Sequence, residues 1–139
     1  MRDFRELLVW QKAHALTLDV YRATKSFPRE ELYSLTNQIR RAAISIGANI
    51  AEGAGKNSRA EFARYLQIAL GSASELEYHL LLSRDLEYLP PEKCLSLSKQ
   101  VVETKKMLVG FTQYLGERGT RPKTIAETGL RRQELMTDC

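Results

Sequence analysis

The stretch Gln38-Ile-Arg-Arg-Ala-Ala-Ile-Ser-Ile-Gly-Ala-Asn-Ile-Ala-Glu-Gly53 decides how this chain folds. Ile39, Ala42, Ala43, Ile46 and Ile50 recur at intervals of three and four. That is the period of one face of an α-helix, and no strand alternation competes with it. A second set lies beside the first. At about 100° per residue, Gln38, Arg41, Ser45, Asn49 and Glu52 fall within an arc of roughly 80° adjoining the apolar stripe. The helix therefore carries a polar seam next to its core face. Ala42, Ala43, Ala48 and Ala51 keep it slim, so a neighbouring backbone can come close.

Working outward, Leu32 and Leu35 extend the stripe, and the helix is expected over residues 30–52. Gly53-Ala-Gly55 is its stop signal, since glycine accepts a left-handed C-cap. Before it, Val9, Ala13, Leu16, Val20 and Thr24 share a face of a helix over 4–25, which Phe27-Pro28 closes. After it, Ser58-Arg-Ala-Glu61 has the form of a capping box opening a helix over 59–87. Phe62, Leu66, Ala69, Ala73, Leu76 and Leu80 line its main face, with Ile68 and Leu82 apolar elsewhere. Leu89-Pro-Pro91 separates a last helix over 92–115, with Leu97, Val101, Leu108, Phe111 and Leu115 in register and Val102 and Val109 as a narrow second stripe. Gly116 and Gly119 end it. Four helices with short connections predict an all-α, antiparallel, up-down-up-down four-helix bundle over 1–117. Residues 118–139 are expected to form a flexible tail with a short helix near 126–136. The third helix is apolar on more than one side, which in a short chain predicts burial against another copy.

Composition bounds the rest. The chain has 139 residues, 43% of them hydrophobic, enough for one domain with a sizeable core. The net charge of +4 suits an anionic partner without requiring one. Cys94 and Cys139, far apart, make no disulfide framework. No stretch approaches the roughly 20 apolar residues of a membrane span, and the N-terminus lacks a signal-peptide core. The expectation is a cytoplasmic protein with no membrane association.

The run Ser34-Leu-Thr-Asn-Gln-Ile-Arg-Arg-Ala-Ala-Ile-Ser-Ile-Gly-Ala-Asn-Ile-Ala-Glu-Gly53 resembles the four-helix-bundle proteins encoded in intervening sequences of bacterial 23S ribosomal RNA genes, sometimes labelled ribosomal-protein-like. Leu8-Val-Trp-Gln-Lys-Ala13 and Glu61-Phe-Ala-Arg-Tyr-Leu-Gln-Ile-Ala-Leu-Gly-Ser-Ala-Ser-Glu-Leu-Glu77 extend the resemblance, which spans residues 4–116. It implies a ring-shaped homopentamer. It also implies kinship with the accessory protein of diversity-generating retroelements, a basic pentamer that engages a reverse transcriptase and nucleic acid. Gly47 stands where the family commonly has proline.

Two sets of residues carry the functional expectations. Arg40, Lys56, Arg59 and Arg64 are candidate phosphate contacts, with Lys105 and Lys106 elsewhere; a ring would multiply each contact. Against that stands ordinary solvated helix surface. Gln38, Arg41, Ser45, Asn49, Glu52, Glu75 and Glu77 read as a structural polar network. Glu77, on the side of Leu66 and Leu80, needs a partner if buried, and Arg41 is the expected one, with Asn49 and Ser72 nearby. The sharper alternative is a metal-assisted hydrolase built on Glu52, Glu75 and Glu77. No nucleophile–base pair accompanies those carboxylates. His14 and His79 lack the Glu-x-x-His spacing of a di-iron bundle. Gly53-Ala-Gly-Lys56 lacks the spacing of a phosphate loop. The reading is therefore non-enzymatic, without metal or cofactor: a homo-oligomeric binding or scaffold protein engaging RNA, DNA or a nucleic-acid enzyme such as a reverse transcriptase. A ring that recruits another protein is the third alternative.

Overall fold

A computed structural model describes residues 3–116. The expected tail, with Gly119 and Cys139, lies outside the described residues. Within them stand four α-helices: α1 Leu8–Thr24, α2 Leu35–Ala54, α3 Arg59–Asp85 and α4 Pro91–Gly116. Two 3₁₀ turns, Phe4–Glu6 and Arg29–Glu31, precede α1 and α2. No strand occurs among the described residues.

Contacts between neighbours run in opposite directions along each pair, so every sequential pair is antiparallel. Trp10 meets Gly47, while further along α1 the Thr24 hydroxyl accepts from Arg40 Nε. Gly53 meets Phe62, and Ser45 meets Ser72. Phe62 meets Phe111, and Glu77 meets Lys105. α4 returns to α1 through Lys12 with Glu103 and Asp19 with Gln100. The bundle is thus closed around one core.

That core is the set of stripes read from the sequence. Leu16, Ile46, Ile50, Leu66, Leu76 and Leu108 are completely buried. Each such side chain contributes roughly 1.5–3 kcal/mol. The helix starts differ from expectation. Asp3 Oδ1 accepts from the Arg5 amide at 3.0 Å, capping a separate 3₁₀ turn, and Leu7 is extended before α1 begins. The Phe4 ring packs edge-on against Trp10, with centroids 5.0 Å apart, and holds this turn on the bundle.

α2 begins at Leu35, five residues after the expected start at residue 30. Leu32 falls outside the helix and is exposed. Glu31 takes over the capping: its Oε1 accepts from the Leu35 amide at 3.4 Å, while Ser34, the N-cap, makes no side-chain cap bond. The other Glu31 oxygen accepts from the Tyr88 hydroxyl at 3.0 Å. That hydrogen bond to the carboxylate holds the Tyr88 pKa above its usual value.

The glycines after the seam also act differently from the expected stop signal. Gly55 caps α2 with φ −83°, which is not left-handed. Gly53 lies inside the helix, where a Cβ would come 2.8 Å from Tyr65 Cβ and 2.9 Å from the Phe62 ring. Glycine is required there by close approach of α3, not by backbone conformation.

Candidate nucleic-acid interface and polar seam

The α2–α3 connection gathers three of the four candidate phosphate contacts at one end of the bundle. Ser58 caps α3, its hydroxyl accepting from the Glu61 amide at 3.0 Å. Lys56 lies just before this cap. Its Nζ stands 5.4 Å from the centroid of the Tyr65 ring, and the Arg64 guanidinium stands 4.8 Å from the same centroid. Two exposed cations therefore share one aromatic ring, an arrangement that holds long side chains in place without neutralising them.

Arg59 is engaged more tightly. Its Nε donates to the Leu115 carbonyl at 3.2 Å and its Nη2 to the Tyr114 carbonyl at 3.1 Å, with the guanidinium above the Tyr114 ring. These are carbonyls at the end of α4, which have no partner within their own helix and sit at the negative end of its dipole. A guanidinium has five N–H donors, so these two bonds leave others unengaged.

Arg40 does not join this group. It lies toward the opposite end of α2, donates to the Thr24 hydroxyl at 2.9 Å and covers the Tyr21 ring at 4.7 Å. Lys105 is paired with Glu77. The aromatic partners Tyr21, Tyr65 and Tyr114 are what the sequence reading left out as platforms for these cations. The adjacency of Arg64 and Tyr65 was visible; the pairings across helices were not.

The polar seam resolves into three separate groups. Ser45 and Ser72 join α2 to α3 through their hydroxyls, 2.8 Å apart. Asn49 Nδ2 donates to the Ser45 carbonyl at 2.8 Å and to its hydroxyl at 3.0 Å. Glu75 Oε2 lies 3.0 Å from His79 Nε2, one turn along α3, while His79 Nδ1 is buried without a partner among the described residues. Gln38, Arg41 and Glu52 are exposed beside the seam.

Glu77 corrects the expected Arg41 pairing. Its Oε1 accepts from Lys105 Nζ of α4 at 2.8 Å, with the two side chains only 19% and 15% exposed. The reason is the helix flank. Ser72 marks the flank of α3 that borders α2, whereas Glu77 lies on the flank that borders α4. Arg41 is exposed beside the α2 seam, and α3 lies between that seam and the flank that carries Glu77. Asn49 and Ser72 accordingly serve Ser45, not Glu77.

This geometry separates the three carboxylates of the hydrolase alternative. Glu77 turns to α4, Glu75 to His79, and Glu52 to solvent. Among the described residues, no group of three or more His, Cys, Asp or Glu side chains is placed to hold a metal ion. His14 is exposed and stacks on Trp10, ring centroids 4.8 Å apart. No described helix is long and apolar enough to cross a membrane.

Comparison with known proteins agrees with the fold. A solved protein of unknown function from the S23 ribosomal protein family of Bacteroides thetaiotaomicron is 31% identical to this chain. The match covers 76% of this chain and 99% of that one, with a TM-score of 0.69. No curated protein matches the chain. The family model for the 23S rRNA-intervening sequence protein matches residues 5–110, and the chain belongs to that family.

Proposed function

We propose that this chain acts without catalysis, as a self-associating scaffold that engages RNA or DNA, or an enzyme working on them, in the cytoplasm. The observation that carries the reading is the cluster of Lys56, Arg59 and Arg64 around Tyr65 and Tyr114 at one end of the bundle. The cluster is basic and aromatic, with Lys56 and Arg64 exposed on the Tyr65 ring and their charges not neutralised by it, a chemistry suited to a phosphodiester backbone.

Assembly is the second half of the proposal. Ile44, Ile68 and Tyr78 are 46%, 42% and 58% exposed on the outward sides of α2 and α3. Ala48 and Gly71 are exposed on the same sides, and a Cβ on Gly71 would meet nothing within 4 Å. A surface both apolar and slim suits a second helix at close range, and burying it removes apolar area from water. The homopentamer implied by the family resemblance is the assembly we favour. Five basic clusters on one ring bind a long anion far more tightly than one.

Sedimentation velocity with fluorescence anisotropy on a labelled single-stranded RNA tests both halves. The expected result is a species larger than a monomer whose affinity falls about tenfold or more between 50 and 200 mM salt. Lys56→Glu with Arg64→Glu should weaken binding by a further tenfold while leaving assembly unchanged. A monomer at micromolar concentration, or binding indifferent to both charge reversals, overturns the proposal.

A further inference from the structure

We infer that the chain's own C-terminal segment, residues 117–139, docks in a groove between the start of α1 and the second half of α4. Midway along these two helices, Lys12 is paired with Glu103, and Gln100 Nε2 donates to Asp19 Oδ2 at 3.1 Å. Toward the end where α4 finishes, the helices part around an open cavity of about 370 Å³. Glu6, Leu7, Leu8, Val9, Met107 and Phe111 line it. Leu8, at its edge, is 71% exposed. So large an apolar side chain at the mouth of an apolar groove calls for an occupant.

The occupant follows from where the chain goes next. α4 runs to Gly116, five residues past Phe111, a distance of about 7.5 Å along the helix axis. Residues 117–139 therefore start beside the groove. Fully extended they reach at most about 80 Å, so the few ångströms back to Leu8 impose no strain. They carry Ile125, Leu130, Leu135 and Met136 as apolar anchors. After Glu117 the segment carries Arg118, Arg121 and Lys123, a basic run that suits a groove lined by Glu6 and no other ionisable side chain among the described residues. Tethering raises the local concentration of the segment to the millimolar range, so a modest apolar contact suffices. The segment lies beyond the residues 5–110 shared with the family. All the lining residues but Phe111 fall within that matched range.

Trypsin cleavage after Arg131 and Arg132 reads the docking in the full-length protein. A docked segment is cut through its undocked population. Cleavage should be about tenfold slower or more than in a free peptide of residues 117–139. Leu8→Arg should return it to within about threefold of the peptide rate. Leu8 is mostly exposed, so this variant keeps the bundle, which circular dichroism checks. Leu130→Asp with Leu135→Asp in the full chain should do the same from the other side of the contact. Cleavage as fast as in the free peptide overturns the inference, as does protection that survives both sets of variants. Protection that disappears on dilution places the segment in a second copy's groove, and that too overturns docking within one chain.

Discussion

α3 and α1 are both flanked by two helices, and the two are held in different ways. α3 meets α2 where Gly53 brings backbones so close that no Cβ fits, and where two serine hydroxyls bond across the seam. It meets α4 through an ion pair withdrawn from solvent, a guanidinium on the last carbonyls of α4, and the edge-to-face rings of Phe62 and Phe111, 5.1 Å apart. α1 meets α2 through Thr17, whose hydroxyl donates to the Ala43 carbonyl at 3.1 Å. It meets α4 through a more exposed ion pair and then opens into a groove. Contacts that depend on shape and desolvation tolerate little change. Contacts made by long side chains in water tolerate much.

Gly53→Ala is the strongest test of that difference. The added methyl group would meet Tyr65 Cβ at 2.8 Å, the Phe62 ring at 2.9 Å and the Phe62 carbonyl at 3.3 Å, so backbone as well as side chains must shift. Overpacking of this kind costs about 2–3 kcal/mol, well above the helix propensity that alanine gains. Urea denaturation measures it. A neutral or stabilising result would show that the α2–α3 seam has slack and would erase the contrast with α1.

Lys105→Met comes next. It leaves the Glu77 carboxylate at 19% exposure without its counter-charge. Full burial would make the loss about 3–5 kcal/mol, and partial access to water reduces it to about 1–2 kcal/mol. Glu77→Leu with Lys105→Met should recover most of it, because two apolar side chains leave no unpaired charge in the seam.

The same contrast explains what the sequence disclosed. The stripes of α1 to α4 were legible because a helix repeats its inward face every three or four residues. Nearly every residue of the four main stripes is buried, with Leu32 outside its helix and Phe111 half-buried; of the secondary apolar positions Val102 is buried, Val109 and Leu82 are half-buried and Ile68 is exposed. The breaks at Leu7 and before α2 were not legible. They depend on Phe4 reaching Trp10 and on Glu31 serving both the Leu35 amide and Tyr88, contacts far apart in sequence. The partner of Glu77 was hidden for a related reason. A wheel shows that Glu77 lies on a flank of α3, but which helix borders that flank depends on the handedness of the bundle. Ser45, Asn49 and Ser72 could be grouped from spacing because they lie along one seam. Arg59 could be chosen for its charge, but its place on the α4 carbonyls required the fold.

Ser72→Ala isolates the hydroxyl pair. It removes the bond across the seam and leaves Ser45 its contact with Asn49. The expected loss is about 1 kcal/mol, the usual net value of a hydrogen bond between part-buried groups. A loss above about 2 kcal/mol would mean that the three polar residues act as a cooperative network and not as separate bonds.

The smallest effect belongs to α1. Lys12 and Glu103 join it to α4, with side chains 30% and 57% exposed. Water reaches both charges, and ordering the two side chains offsets much of their attraction, so the pair contributes about 0.5 kcal/mol or less. Lys12→Met alone is a poor measure, because it changes whatever the long stem packs against as well as the charge. A double-mutant cycle of Lys12→Met and Glu103→Gln removes that contribution. The coupling should be small and should fade between 50 mM and 1 M salt, as the screening length shrinks to about 3 Å around charges that water reaches. The matching cycle on Glu77 and Lys105 should give a larger coupling that salt barely changes. If the α1 pair couples as strongly as the α3 pair, the latch is not the loose one that its exposure indicates, and the groove beside it is held open by a rigid strut.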